Sequence, residues 1–192
     1  EIYTRALHDA LPIWQLNIMK GALLFSDLVK TVSPRYAEEI RSQEFGGGLE
    51  GGLRGRAGDL SGIINGLDYE EWDPSKDPHL AVRYSEKTLE DKAQAKRALK
   101  KELGLPDDDV PLVAMISRLN NMKGLSLVDE VTDYLMHLDM QFVLMGTGDS
   151  RFHENFARLA EYYPEKASVN LKYEDSLVHR IEAGADLLIM PS

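Results

Sequence analysis

Cysteine is absent from the 192 residues, which excludes disulfides and thiolate metal sites. The five histidines are scattered and nowhere adopt a paired H-x-x-x-H spacing, so no protein metal centre is expected. No apolar run approaches the ~20 residues that a membrane-spanning helix requires, and the amino terminus carries no basic-then-apolar signal pattern. The expectation is a soluble, cytoplasmic protein with no membrane partner. Positive charge is also scarce: 22 Lys and Arg face 32 Asp and Glu, for a formal net charge of −10. That balance argues against general nucleic-acid binding, which draws its affinity from neutralised phosphates. A small anionic ligand stays open, because local cations decide that. What remains is ordinary globular composition, 43% hydrophobic and 28% charged, enough for one large domain or parts of two.

The hydrophobic pattern changes character along the chain. Residues 16–26 place Leu16, Met19, Leu23 and Leu24 on one helix face, and a strand over 28–32 follows. Ser33-Pro34 reads as an N-cap with proline at the first helical position, opening a short helix through Arg41. The stretch from Phe45 to Arg56 is so rich in glycine that a loop with a helical turn is expected. A short strand over 61–64 ends in Asn65-Gly66, and a polar segment with Pro74 and Pro78 leads to a helix over 89–103. Thr88 and Asp91 resemble a capping box for that helix, Lys100 and Lys101 suit its last turn, and Gly104 its stop. From Leu112 the rhythm becomes βαβαβαβ. Strands at 112–116, 141–145, 168–171 and 186–190 alternate with helices near 124–138, 152–162 and 174–183. Such alternation predicts a parallel sheet with right-handed crossovers and helices on both faces.

In a parallel sheet all strand carboxyl ends share one edge, and ligands of open α/β sheets bind there. The run Leu112-Val113-Ala114-Met115-Ile116 is continuously apolar, as a strand buried on both faces should be, and Ser117-Arg118 follow at its end. Five residues on, Lys123 stands where the next helix begins, so two cations and a helix start make a site for a phosphate or diphosphate. The plainer reading is a solvated turn with two surface cations. The other strand ends place Gly146-Thr147-Gly148-Asp149, Tyr173 and Ser192 on the same edge. Glycines allow close backbone approach and a tyrosine offers an aromatic face to a base. Each also has a structural reading: a tight turn for Gly146 and Gly148, a packed aromatic for Tyr173, a helix cap for Asp149. Position 151 is Arg, so the third glycine of the dinucleotide fingerprint is missing and a nicotinamide enzyme is the weakest alternative. His179 reads as a helix-packing or surface histidine, and Trp72 and Tyr69 as anchors of the segment around them.

Several longer stretches resemble one family. They are Lys30-Thr31-Val32-Ser33-Pro34-Arg35-Tyr36-Ala37-Glu38-Glu39-Ile40, Gly62-Ile63-Ile64-Asn65-Gly66-Leu67-Asp68-Tyr69-Glu70-Glu71-Trp72-Asp73-Pro74, Ser117-Arg118-Leu119 to Lys123-Gly124, Gly146-x-Gly148-Asp149, and His179-Arg180-Ile181 to Gly184-Ala185-Asp186 with Met190-Pro191-Ser192. In this order they are similar to bacterial glycogen synthases and plant starch synthases, retaining glycosyltransferases of the GT-B fold. The resemblance implies an α/β architecture: the tail of the N-terminal domain plus a partial C-terminal Rossmann-like parallel sheet. It implies glucosyl transfer from ADP-glucose to the non-reducing end of an α-1,4-glucan, with no metal or cofactor. Arg118 and Lys123 would grip the sugar-nucleotide diphosphate, with Tyr173 stacking near the adenine. Asn65 would face the transferred sugar, and Gly146 and Gly148 would line the donor site. The family usually has glutamine where Met122 stands, and a thioether cannot donate the amide's hydrogen bond. Open alternatives are another GT-B enzyme, sucrose synthase-like or using another donor, and a non-catalytic nucleotide-binding fragment.

The two ends carry their own expectations. Leu7-His8-Asp9-Ala10-Leu11-Pro12-Ile13 is what ctacacgacgctcttccgatc encodes, a string resembling a common sequencing adapter, so residues 1–13 are expected to be non-native. Residues 14–60 are read as the end of the acceptor-side domain, and 61–192 as a partial nucleotide-sugar-binding domain cut after Ser192. Glycine-rich, acidic and histidine parts of the family's active site are missing from this span. The chain alone is therefore expected to bind nucleotide without turnover.

Overall fold

The computed structural model describes residues 17–191, so the adapter-like segment and Ser192 lie outside the described residues. Two compact units divide after Leu67. The first contains α1 (Ile18–Phe25), β1 (Val29–Val32), α2 (Pro34–Glu39), α3 (Glu50–Gly55) and β2 (Leu60–Ile63). β1 and β2 run parallel, with Val29 opposite Leu60 and Val32 opposite Ile63. The sequence division at 60/61 would have cut β2 away from the strand it pairs with; the hydrogen-bond ladder keeps it in the first unit. Ser33 caps α2 as read, its Oγ accepting from the Tyr36 amide at 3.1 Å, with Pro34 at the first position. The glycine-rich stretch forms α3, short as expected, because Leu53 is buried with Val29 and Ile40 and anchors the turn.

The second unit carries α4 (Lys92–Glu102), β3 (Leu112–Ile116), α5 (Leu125–His137), β4 (Gln141–Met145), α6 (Ser150–Tyr162), β5 (Ala167–Asn170), α7 (Asp175–Gly184) and β6 (Leu187–Leu188). Its sheet is parallel in the order β5-β4-β3-β6. Side chains alternate across the strands. Val113, Met115, Phe142 and Leu144 meet α5 and α6 through Leu125, Val128, Met136, Phe152 and Phe156. Leu112, Ala114, Val143 and Met145 meet α4 and α7 through Leu99, Leu177, Val178 and Ile181. Helices therefore cover both faces, and the unbroken apolar runs of β3 and β4 have this cause.

Three local readings are corrected. The Thr88–Asp91 box is not formed: Thr88 Oγ1 accepts from the Ser85 amide at 3.0 Å, and a 3-10 turn over Leu89–Asp91 precedes α4. Lys100 is not a solvated last-turn charge; it is 1% exposed and its Nζ donates to the Asp108 carbonyl at 2.6 Å. β6 is shorter than the predicted strand, although the Asp186 and Ile189 amides extend its bonding to the Leu112 and Ala114 carbonyls.

Candidate functional site

β3 ends at Ile116, but its hydrogen bonding does not. The Ser117 amide donates to Met145 O at 3.1 Å, the Leu119 amide to Thr147 O at 2.9 Å, and the Asp149 amide to Leu119 O at 2.8 Å. On the other side of the loop after β4, Gly146 N–H donates to Asn170 O at 3.0 Å. The loops after β3 and β4 and the end of β5 are thus zipped together along the carboxyl edge. Arg118 lies between two residues of this ladder, with its side chain exposed.

Lys123 closes a 3-10 turn, Asn121–Lys123, and Gly124 then starts α5 in the left-handed region at φ 68°. A residue with a Cβ is disfavoured at that φ, so glycine is required for the chain to turn from the loop into the helix. Ser126 Oγ donates to Asn121 Oδ1 at 2.6 Å and ties the turn to the first helical residues. The amino end of α5 thus opens on the edge that carries both cations, with its dipole favouring negative charge there. None of the ion pairs among the described residues involves Arg118 or Lys123. The pair singled out in the sequence is brought to one edge with its charge uncommitted. Met122, between them, is exposed.

The glycines have a different explanation from the one the motif suggested. A Cβ on Gly146 would overlap the Ser117 carbonyl oxygen, and one on Gly148 would overlap the Leu119 carbonyl. Their close approach is to a neighbouring loop of the same sheet. Their amides are occupied as well: Gly148 N–H donates to His153 Nε2 at 3.1 Å, and Gly146 N–H to Asn170. Asp149 holds the N-cap position of α6 without a side-chain cap bond; its carbonyl receives the Phe152 and His153 amides.

Tyr173 stands three residues beyond β5 with an exposed ring, and its OH donates to Asp175 Oδ1 at 3.1 Å. That bond to a carboxylate raises the phenol above its ordinary pKa. The ring face is left available for stacking. Asn65 lies in an exposed stretch of the first unit just after β2. Sequence reasoning passed over Asn120 and Asn170, whose Oδ1 and Nδ2 are buried without partners at the strand ends. It also passed over His153, whose role depends on a fold-back of five residues onto Gly148.

His179 is buried in α7, which settles the choice between packing and surface in favour of packing. Its ring lies 3.9 Å from the Trp72 ring at 4° between planes, and its Nδ1 is 2.7 Å from Asp77 Oδ2. Trp72 thus anchors its segment on α7, as the sequence suggested.

Residues 3–55 match the family model described as starch synthase catalytic domain. A glycogen synthase of Fervidobacterium nodosum is 49% identical over 178 residues, 93% of this chain and 37% of that protein. The catalytic domain of starch synthase IV from Arabidopsis thaliana, bound to ADP and acarbose, superposes with a TM-score of 0.87 at 37% identity, covering 92% of this chain and 37% of that one. A glycosyltransferase from Rickettsia africae shares the fold at a TM-score of 0.54 and 17% identity, over 86% of this chain and 38% of that one. The chain spans a little over a third of the relatives it matches, and across that span the resemblance to glycogen and starch synthases and to the GT-B fold is borne out.

Proposed function

We propose that the chain is the donor-nucleotide part of a glycogen or starch synthase, a hexosyltransferase moving glucose from ADP-glucose to the non-reducing end of an α-1,4-glucan with retention. The observation that carries this reading is the pair Arg118 and Lys123: uncommitted cations on the carboxyl edge of a buried parallel sheet, at the start of α5. The matching starch synthase was solved with ADP and acarbose, a nucleotide and a sugar ligand suited to such an edge.

Breaking the glycosidic bond of a nucleotide sugar leaves negative charge on the departing diphosphate. Arg118 and Lys123 stabilise that charge more strongly as it develops than in the bound donor, which is what lowers a barrier. Arg118 suits two phosphate oxygens through its planar fork, and Lys123 acts as a point charge. The Tyr173 ring supports the adenine, and the Gly146–Gly148 loop shapes the donor side. The protein acts in the cytoplasm.

The test is calorimetric titration of the chain with ADP, followed by donor competition between ADP-glucose and UDP-glucose in the full-length enzyme. Saturable ADP binding that weakens in both Arg118→Ala and Lys123→Ala, with ADP-glucose as the better donor, supports the reading. ADP binding indifferent to both substitutions sinks it.

A further inference from the structure

A second group of ionisable side chains lies beside Tyr173, whose OH donates to its member Asp175. Its centre is His179, whose side chain is 1% exposed, paired with Asp77, which is 5% exposed. Asp77 is itself oriented, its Oδ1 accepting from the His79 amide at 2.8 Å. Trp72 stacks on the face of the imidazole, so the ring is held in plane and in register. A carboxylate on Nδ1 makes that nitrogen the protonated one and leaves the lone pair on Nε2. Among the described residues Nε2 is buried and has no partner.

Carboxylates stand near it, with the His79 ring 4.8 Å from the imidazole and Tyr84 lining the same cavity. A ring nitrogen of His179, a carboxylate oxygen of Glu71 and one of Asp175 lie within 4.8 Å of one another. With Nδ1 occupied by Asp77, Nε2 is the nitrogen available to that group. Ionised carboxylates donate no hydrogen bond, and three converging acceptors can together hold a cation. Tyr173 OH fixes Asp175 through Oδ1, which leaves Oδ2 to coordinate.

We propose that His179 Nε2 and the carboxylates of Glu71 and Asp175 bind a divalent transition-metal ion, of which zinc is the type. Mixed imidazole and carboxylate donors suit such an ion. The Asp77–His179 pair is the carboxylate–histidine arrangement that orients a metal-ligating imidazole. Ligand atoms on a tetrahedral zinc sit roughly 3.3 Å apart, given bonds of about 2.0–2.2 Å. Glu71 is exposed and free to swing in over that difference, while Asp175 is held by Tyr173 and the histidine is fixed. The bound ion would clamp residue 71 to the first turns of α7. The absence of paired histidines in the sequence spoke against a metal centre, but this donor set needs only one histidine. The inference is independent of the proposed transferase function.

Calorimetric titration of the metal-free 192-residue chain with zinc chloride tests it. One ion is expected to bind, with affinity at least about tenfold weaker in Glu71→Gln, in Asp175→Asn and in the orienting variant Asp77→Asn. The first two residues are exposed, so their variants fold, which circular dichroism verifies. Long-range proton–nitrogen NMR of the imidazoles supplies the second readout: the His179 Nε2 resonance moves on zinc addition. The proposal is overturned by an absence of saturable binding, by zinc affinity in Glu71→Gln and Asp175→Asn unchanged from that of the unsubstituted chain, or by an Nε2 that carries a proton and keeps it when zinc is added.

Discussion

The second unit holds two sets of cations, and they are treated in opposite ways. Along α4, Lys92, Lys96 and Lys100 follow one another at intervals of one helical turn, and all are engaged. Lys92 Nζ donates to Ala183 O at 2.6 Å, Lys96 Nζ to Val110 O at 2.7 Å and to Asp186 Oδ2 at 2.6 Å, and Lys100 Nζ to Asp108 O at 2.6 Å. Burial pushes Lys92 and Lys100 below the usual lysine range. These side chains staple α4 to α7 and to the loops around it. At the carboxyl edge, Arg118 and Lys123 stand among backbone ladders yet enter no ion pair of the described residues. Both places carry cations; commitment of the charge separates a fastening from the proposed site.

The contrast can be broken from either side. Gly146→Ala should have the largest effect, because its Cβ collides with the Ser117 carbonyl; a loss of about 3 kcal/mol or more in denaturant unfolding is expected. Lys123→Ala in the full-length enzyme should lower turnover by roughly a hundredfold, or about 3 kcal/mol of barrier, with little change in melting temperature. Lys100→Ala should do the reverse, costing about 2 kcal/mol of stability while ADP affinity stays unchanged, since it empties a buried space and orphans a carbonyl. Swapped outcomes for these two lysines would erase the distinction.

The smallest effect belongs to Asp186. Burial alone would raise its carboxyl, but the Leu112 amide and Lys96 outweigh burial and hold it below the ordinary aspartate value. A carboxylate with a lowered folded pKa contributes stability above its unfolded pKa, and that contribution is lost as pH falls through the folded one. Its side chain is 39% exposed, so solvent screening limits the pair to less than about 1 kcal/mol. Asp186→Asn should therefore flatten the acid limb of the stability curve below about pH 4, with a small shift at neutral pH.

The strand-and-helix order of the second unit was legible because β3 and β4 are buried on both faces and leave unbroken apolar runs. Arg118 and Lys123 were legible for the same reason: the strand end locates them. The reason for Gly146 and Gly148 was not, since it lies in the backbone of a loop some thirty residues earlier, a contact that leaves no periodicity in the chain. His179 and Asp77 are 102 residues apart, and nothing local marks either as the other's partner. Thr88 misled because a hydroxyl can bond backward to Ser85 as readily as forward into a helix. The unit boundary moved from 60/61 to 67/68 because strand pairing between β1 and β2, invisible in either strand alone, decides where the first unit ends.

The ladder that runs past the end of β3 bears on how a ligand meets Arg118. Ser117 and Leu119 are both held by hydrogen bonds to the neighbouring loop, so the main chain under the guanidinium is already stationary before anything binds. An anion arriving there would order one side chain and no backbone. If the proposed diphosphate binds here, most of the entropy of building the grip was spent during folding, and the edge is preorganised for it.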